Sequence, residues 1–186
     1  MNSKDLIVND TASYIIFITG GTKSGKSEFA EYLAKVEENL SYVALSEINP
    51  EDKKWQKKIN LHRKRRPKNW KLIETTDLLN TLSKEDGPLL IDSIGGFVME
   101  CINKEDKEWF IKMNSLINLL KKRKSKTFIV GEQVGWSLVS EYKIGNTYIE
   151  RIGELQKRIT KISKDNWLAI NGRAIKIDEI SIEIPT

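Results

Sequence analysis

Short continuous apolar runs alternate along the chain with longer stretches of helical periodicity. The first run, residues 14–19 (Y-I-I-F-I-T), has the length and continuity of a strand covered on both faces, and residues 28–35 then follow as a helix. Residues 41–46 read as a second strand and 47–50 as a loop. Over 51–65 the spacing predicts a helix with Trp55, Ile59 and His62 at i, i+4 and i+7, ended by Arg66-Pro67 because proline disfavours helical geometry in the residue before it. A short strand over 71–75, a short helix over 77–84 and a strand over 89–92 come next, the last punctuated by Gly87-Pro88. Residues 105–123 place Trp109, Met113, Leu116 and Leu120 on one helical face, and 127–130 form another strand. A loop over 131–142 leads to a helix over 145–164 whose stripe runs through Tyr148, Ile152, Leu155, Ile159 and Ile162. Asn171-Gly172, between strands at 167–170 and 173–177, is a type I′ hairpin signal, and Ile180, Ile182 and Ile184 alternate as an edge strand would. Residues 1–13 are polar and aperiodic, so the pattern predicts a flexible leader followed by one domain over 14–186. Strands alternating with helices predict an α/β three-layer fold with a mainly parallel sheet and a C-terminal antiparallel hairpin.

Chemistry enters between the first strand and the first helix. Gly20-Gly21-Thr22-Lys23-Ser24-Gly25-Lys26-Ser27 fits G-x-x-x-x-G-K-S, the phosphate loop (P-loop), and it sits in the strand, loop, helix context that the motif requires. Its glycines let successive backbone N–H groups face a polyphosphate at a helix N-terminus. Lys26 would reach the β- and γ-phosphates, and the Ser27 hydroxyl would ligate Mg²⁺. Asp92 ends an apolar strand downstream and is the matching candidate for the metal shell. The fold class narrows accordingly to a P-loop NTPase of RecA-like type, whose carboxyl sheet edge gathers the phosphate loop, Asp92, the loop before His62 and the loop at Glu132. His62 is the single histidine: it either packs beside Trp55 and Ile59 or serves as a nucleophile, since neutral imidazole attacks phosphorus near pH 7 and leaves a reactive phosphoramidate. Arg66 would clamp a nucleotide phosphate bidentately beside it. Trp70 is either core or a base-stacking platform.

Composition changes this picture little. The 186 residues, 39% hydrophobic and 31% charged, suit one domain, and a formal net charge of +5 accords with anionic substrates. The basic run His62-Arg63-Lys64-Arg65-Arg66 leaves a RecA-like nucleic-acid-binding ATPase as an alternative, although such runs are usually solvated helix ends. No apolar run reaches the ~18 residues of a membrane span, and the lone Cys101 has no disulfide partner, so a cytoplasmic location is expected.

The motifs, taken in order, resemble those of the bifunctional adenosylcobinamide kinase and adenosylcobinamide-phosphate guanylyltransferase family of cobalamin biosynthesis. Gly20 to Ser27 followed by Ala30-Glu31 resembles its G-G-x-R-S-G-K-S-x-x-A-E, and Tyr42-Val43-Ala44 its second strand. Ile59, His62, Arg66-Pro67, Trp70 and Glu74 match its I-x-x-H, R-P, W, E spacing, which generic P-loop proteins lack. Asp92-Ser93 and residues 132–139 (E-Q-V-G-W-S-L-V) are similar to its third-strand acid and its E-V-G-x-G-I-V loop. The resemblance implies a homo-oligomer, a trimer, acting on corrinoid and nucleotide substrates rather than nucleic acid. It implies phosphorylation of the aminopropanol hydroxyl of adenosylcobinamide with ATP or GTP, then GMP transfer from GTP through a guanylylated His62. A kinase of another small alcohol, without guanylyl transfer, stays open beside it. Lys23, Ser137, Asn146 and Ile149 depart from the pattern, the last two standing where the family carries arginines.

Overall fold

The computed structural model of the chain describes residues 14–45, 66–136 and 140–185. The expected leader and the expected helix carrying Trp55, Ile59 and His62 lie outside these residues. Seven strands form one sheet: β1 (Ile15–Gly20), β2 (Ser41–Ala44), β3 (Lys71–Glu74), β4 (Leu89–Asp92), β5 (Thr127–Glu132), β6 (Asp165–Ile170) and β7 (Arg173–Lys176). Their order is β3-β2-β4-β5-β1-β6-β7, parallel throughout except for the last pair. The helices are α1 (Lys26–Ala34), α2 (Leu78–Lys84), α3 (Gly95–Glu100), α4 (Asp106–Lys122) and α5 (Lys143–Ile162).

Continuous apolar strands belong to a sheet covered on both sides, and the side chains divide accordingly. Ile15, Phe17, Leu89, Ile91 and Ile129 pack with Leu78, Phe97, Trp109, Met113, Leu116, Ile152 and Leu155 from α2 to α5. Ile18, Leu90, Phe128 and Val130 turn the other way, against Ala30 and Ala34 of α1 and against Trp70. The alternation expected within each strand therefore separates two cores, one per face, and makes three layers.

One buried cation ties the helical layer together. Arg151 on α5 is only 7% exposed, and its guanidinium donates to the carbonyls of Cys101 (2.7 Å), Ile102 (3.3 Å) and Lys104 (2.7 Å) and to Asp106 Oδ1 (3.0 Å). These carbonyls lie in the turn between α3 and α4, outside any helix or strand, and Arg151 supplies donors to them. Cys101 beside it is buried and donates to Glu100 Oε2 at 3.1 Å; burial pushes its thiol up to about 12, which keeps it protonated near neutral pH.

Several boundaries differ from the sequence pattern. β5 runs on to Glu132, because Gly131 and Glu132 continue the pairing with Thr19 and Gly20 of β1. α3 was not legible, since its six residues G-G-F-V-M-E show no helical period. The hairpin is of type I′ as expected, with positive φ at both Asn171 (49°) and Gly172 (76°). Ile180, Ile182 and Ile184 form no edge strand. A 3₁₀ turn at Ile177–Glu179 takes the chain off the sheet, held by Asp178, whose carboxylate accepts from the Asn166 backbone N–H (2.7 Å) and side-chain amide (3.0 Å). The three isoleucines beyond it are exposed.

Replacing Arg151 by methionine should destabilise the protein by about 2–4 kcal/mol, because buried carbonyls lose their donors. Denaturant unfolding measures this, and a nucleotide affinity unchanged in the folded variant would show that the role is structural.

Candidate active site

The phosphate loop owes its shape to close approach on three sides. A Cβ on Gly20 would stand 2.4 Å from the Ala169 carbonyl oxygen of β6 and 2.6 Å from Ser24 Oγ, so only glycine fits there. Lys23 (φ 58°) and Gly25 (φ 95°) adopt left-handed backbone, and Gly25 forms the N-cap of α1. Successive turns of this kind make the backbone concavity that binds anions. The Ser24 amide donates to the Gly21 carbonyl at 3.3 Å, and the Lys26 ammonium to the same oxygen at 3.1 Å. The Gly172 amide, from the β6–β7 turn, donates to the Ser24 carbonyl at 2.9 Å.

Asp92 ends β4, one strand removed from β1 by the intervening β5. Ser27 Oγ donates to its Oδ1 at 3.1 Å, which joins the two predicted metal-shell residues although they are far apart in sequence. Tyr42 OH donates to its Oδ2. Burial, and the neighbouring Asp92 carboxylate, push the Tyr42 hydroxyl far above its ordinary range, so it stays a donor. Two oxygen-bearing side chains at the mouth of a phosphate loop suit Mg²⁺, which is usually held by one or two protein oxygens together with substrate phosphates and water. Among the described residues no cluster of three or more His, Cys, Asp and Glu side chains offers an all-protein metal cage.

Arg66 reaches the same neighbourhood from another side. Its guanidinium lies 3.3 Å from the Tyr42 ring centroid, and its Nε is buried without a hydrogen-bond partner among the described residues. Trp70 stacks on the opposite part of this cluster, 6.3 Å from the Tyr42 ring, and is 9% exposed: it is core rather than an open base platform. Glu74 ends β3 and is exposed; Ala44 of β2 pairs with both Glu74 and Asp92, so Glu74 shares the carboxyl edge but stands two strands, roughly 10 Å, from Asp92. His62 lies outside the described residues, as does Ser137.

Sequence reasoning left one carboxylate without a role. Glu132 ends β5 directly beside Gly20 in the register. It accepts from Ser93 Oγ through Oε1, while its Oε2 is buried without a partner among the described residues. Burial raises its carboxyl above the usual range, and Asp92 adds to this; Ser93 and the Lys26 ammonium oppose it. Tyr148 of α5 stands close by, and its hydroxyl is also pushed up, first by burial and then by Glu132. The ends of both side chains pack against Gly95, where a Cβ would crowd Tyr148 Oη and the Glu132 carboxylate. The available signal was a carboxylate following an apolar run, T-F-I-V-G-E, as Asp92 follows L-L-I. Next to it, Gln133 Nε2 and Gln156 Oε1 meet Thr19 Oγ1 at 3.0 and 2.9 Å, and Gln156 Nε2 donates to the Glu132 carbonyl at 2.8 Å, locking the ends of β1 and β5 to α5. Where the two expected arginines are replaced, contacts are local: Asn146 Nδ2 donates to the Ser140 carbonyl at 3.0 Å, and Ile149 packs 3.7 Å from the Cβ position of Gly135.

Comparison with known proteins agrees with this geometry. The family model described as cobinamide kinase / cobinamide phosphate guanyltransferase matches residues 16–177. The bifunctional adenosylcobalamin biosynthesis protein CobU of Escherichia coli K12 is 26% identical over 181 residues, covering 88% of this chain and 99% of that protein. Its Salmonella typhimurium LT2 counterpart is 25% identical with the same coverage, and the Pseudomonas aeruginosa PAO1 protein CobP is 26% identical over 77% of this chain and 86% of its own. Among solved structures, the ATPase EscN of the enteropathogenic E. coli type III secretion system superposes with a TM-score of 0.55 at 12% identity, over 83% of this chain and 41% of EscN. A Pyrococcus horikoshii OT3 protein, PH0250, does so with 0.51 at 8% identity over 92% and 91%. These likenesses show the fold, an α/β P-loop architecture.

Lys26→Ala should reduce nucleotide-dependent phosphoryl transfer by about 10²–10³-fold or more, because positioning and charge stabilisation supply most of the catalysis of that reaction. Steady-state kinetics on a variant with unchanged thermal midpoint measures it; near-normal turnover would remove Lys26 from the site.

Proposed function

The chain belongs to the cobinamide kinase / cobinamide phosphate guanyltransferase family, and we propose that it carries out both reactions: phosphorylation of the aminopropanol hydroxyl of adenosylcobinamide, then transfer of GMP from GTP to that phosphate. The observation that carries this reading is the Ser27–Asp92 hydrogen bond, which brings the phosphate loop and the strand-end acid to one point at the carboxyl edge. Here the loop amides and Lys26 would cradle the polyphosphate of ATP or GTP, and Ser27 and Asp92 would hold Mg²⁺. When bound, that ion supplies neutralisation of charge on the phosphate oxygens. Tyr42 keeps the Asp92 carboxylate oriented, and the stack of Arg66 and Trp70 on Tyr42 fixes its ring. Arg66 in this reading also contacts nucleotide phosphate, and Glu74 lies at the rim of the nucleotide site.

The guanylyl step belongs to His62. Imidazole attack on the α-phosphorus of GTP forms a P–N bond and releases pyrophosphate; the corrinoid phosphate oxygen then displaces the imidazole and takes the GMP. The reading places the protein in the cytoplasm as a homotrimer. Family membership and the RecA-like sheet support it, as does the motif spacing around His62.

Two measurements separate its parts. Asp92→Asn should raise the Mg²⁺ concentration needed for half-maximal transfer far more than it lowers thermal stability. If added Mg²⁺ changes nothing and the protein merely melts earlier, Asp92 is structural. With GTP and Mg²⁺ the wild-type protein should gain one GMP by intact mass, labile in acid and comparatively stable in base. His62→Asn should lose that adduct and keep most kinase turnover, since the amide is a far poorer nucleophile than imidazole. Absence of the adduct on folded wild-type protein would reduce the function to a P-loop kinase.

A further inference from the structure

Phosphorylating an alcohol requires a group that takes the hydroxyl proton, and neither the phosphate loop nor Asp92 is free to do so. Lys26 is a cation bonded to the Gly21 carbonyl, and both Asp92 oxygens already accept, from Ser27 and Tyr42. Glu132 is differently placed. It is paired with Gly20 at the mouth of the phosphate loop, near enough to Lys26 to feel its charge, and held through one oxygen by Ser93 while the other has no partner among the described residues. Ser93, Gly95 and Tyr148 confine the carboxylate, so it has few rotamers to lose when a substrate arrives.

We infer that Glu132 is the general base of the kinase reaction, its carboxylate accepting the proton of the acceptor alcohol. This rests on the function proposed above. As the alcohol oxygen bonds to the γ-phosphorus of the bound nucleoside triphosphate, the bond from that phosphorus to the β–γ bridging oxygen breaks. The nucleoside diphosphate leaves with those electrons; the hydroxyl proton passes to Glu132 and from there to water. The groups that face Glu132 divide in their effect. Lys26 from α1 and the Ser93 hydroxyl favour the carboxylate, while burial and Asp92 from β4 favour the acid, and Tyr148 from α5 remains a neutral phenol. A raised carboxyl is a better match to a base working near neutral pH. The guanylyl step uses imidazole as nucleophile and does not need this carboxylate.

The experiment compares wild-type protein, Glu132→Gln and Glu132→Asp, using adenosylcobinamide, Mg²⁺ and each nucleoside triphosphate. Glu132→Gln keeps the shape and the Ser93 contact, and should lower kcat by about 10²–10⁴-fold. KM for nucleotide and GMP labelling by GTP should change less than threefold by comparison. Wild-type kcat should fall at acid pH as Glu132 takes a proton, whereas the residual rate of Glu132→Gln should lose that limb. Glu132→Asp should fall between the two and keep the limb. A Glu132→Gln variant that turns over within fivefold of wild type, or that keeps the acid limb, overturns the assignment. If Glu132→Gln does not fold, the decision passes to the wild-type and Glu132→Asp profiles: a limb in both supports the base, and flat profiles from about pH 5 to 8 overturn it. A wild-type protein that phosphorylates no corrinoid refutes the proposed function instead, before any variant is read.

Discussion

The carboxyl edge depends on one constraint: Gly20 has no side chain. Parallel pairing on both sides places it beside Glu132 of β5 and Ala169 of β6 at once. A Cβ at this point would push into the Ala169 carbonyl and into Ser24 Oγ, and the phosphate loop could not fold over the strand end. The hairpin then completes the clamp, because the left-handed Asn171-Gly172 turn brings the Gly172 amide onto the Ser24 carbonyl. A loop made of orphan N–H groups would otherwise be a mobile anion receptor. Here β6 and its turn fix it before any ligand arrives, which is the preorganisation that electrostatic catalysis requires.

From this fixed point the charges are sorted by their surroundings. Asp92 and Glu132 both end buried parallel strands, yet only Asp92 has hydroxyl donors on both oxygens. Glu132 has one donor and a buried, unpartnered oxygen, so desolvation dominates and favours its protonated form. Two carboxylates at one site edge are held in different environments, and the roles proposed for them, holding a cation for Asp92 and exchanging a proton for Glu132, follow that difference. The order β4-β5-β1 is what makes this sorting possible, since it inserts the Glu132 strand between the Asp92 strand and the phosphate-loop strand.

Legibility in the sequence followed the range of the interactions. The phosphate loop is local: strand, glycines, Lys26 and helix all lie within about twenty residues, and the structure reproduces them. Asp92 was legible because an apolar run ending in a carboxylate is also local. Tyr42 was not legible as a partner of Asp92, because its position follows from β2 lying beside β4 and nothing near Tyr42 encodes that pairing. Glu132 was visible as part of a motif, but its role depends on Ser93 and Tyr148, which reach it from β4's end and from α5. The isoleucine alternation at 180–184 misled for the converse reason. A period of two marks an extended chain, whereas membership of a sheet also needs a partner edge, and the Asp178 turn on Asn166 directs the chain away from it.

Arg151 shows how a local pattern and a tertiary role become separated. The family motif places arginines where this chain has Asn146 and Ile149, and Arg151 follows only two residues later on the same helix. Spacing alone would offer it as a substitute for one of those arginines. Its burial and its bonds to the carbonyls of Cys101, Ile102 and Lys104 commit it instead to the end of α3. That commitment still bears on the site, because α3 begins with Gly95, against which Glu132 and Tyr148 pack. The cation thus anchors the far end of a six-residue helix whose near end shapes the pocket around a carboxylate. The charge of Arg151 acts here through packing, and the phosphate binding proposed for this site rests on Lys26, the loop amides and Arg66.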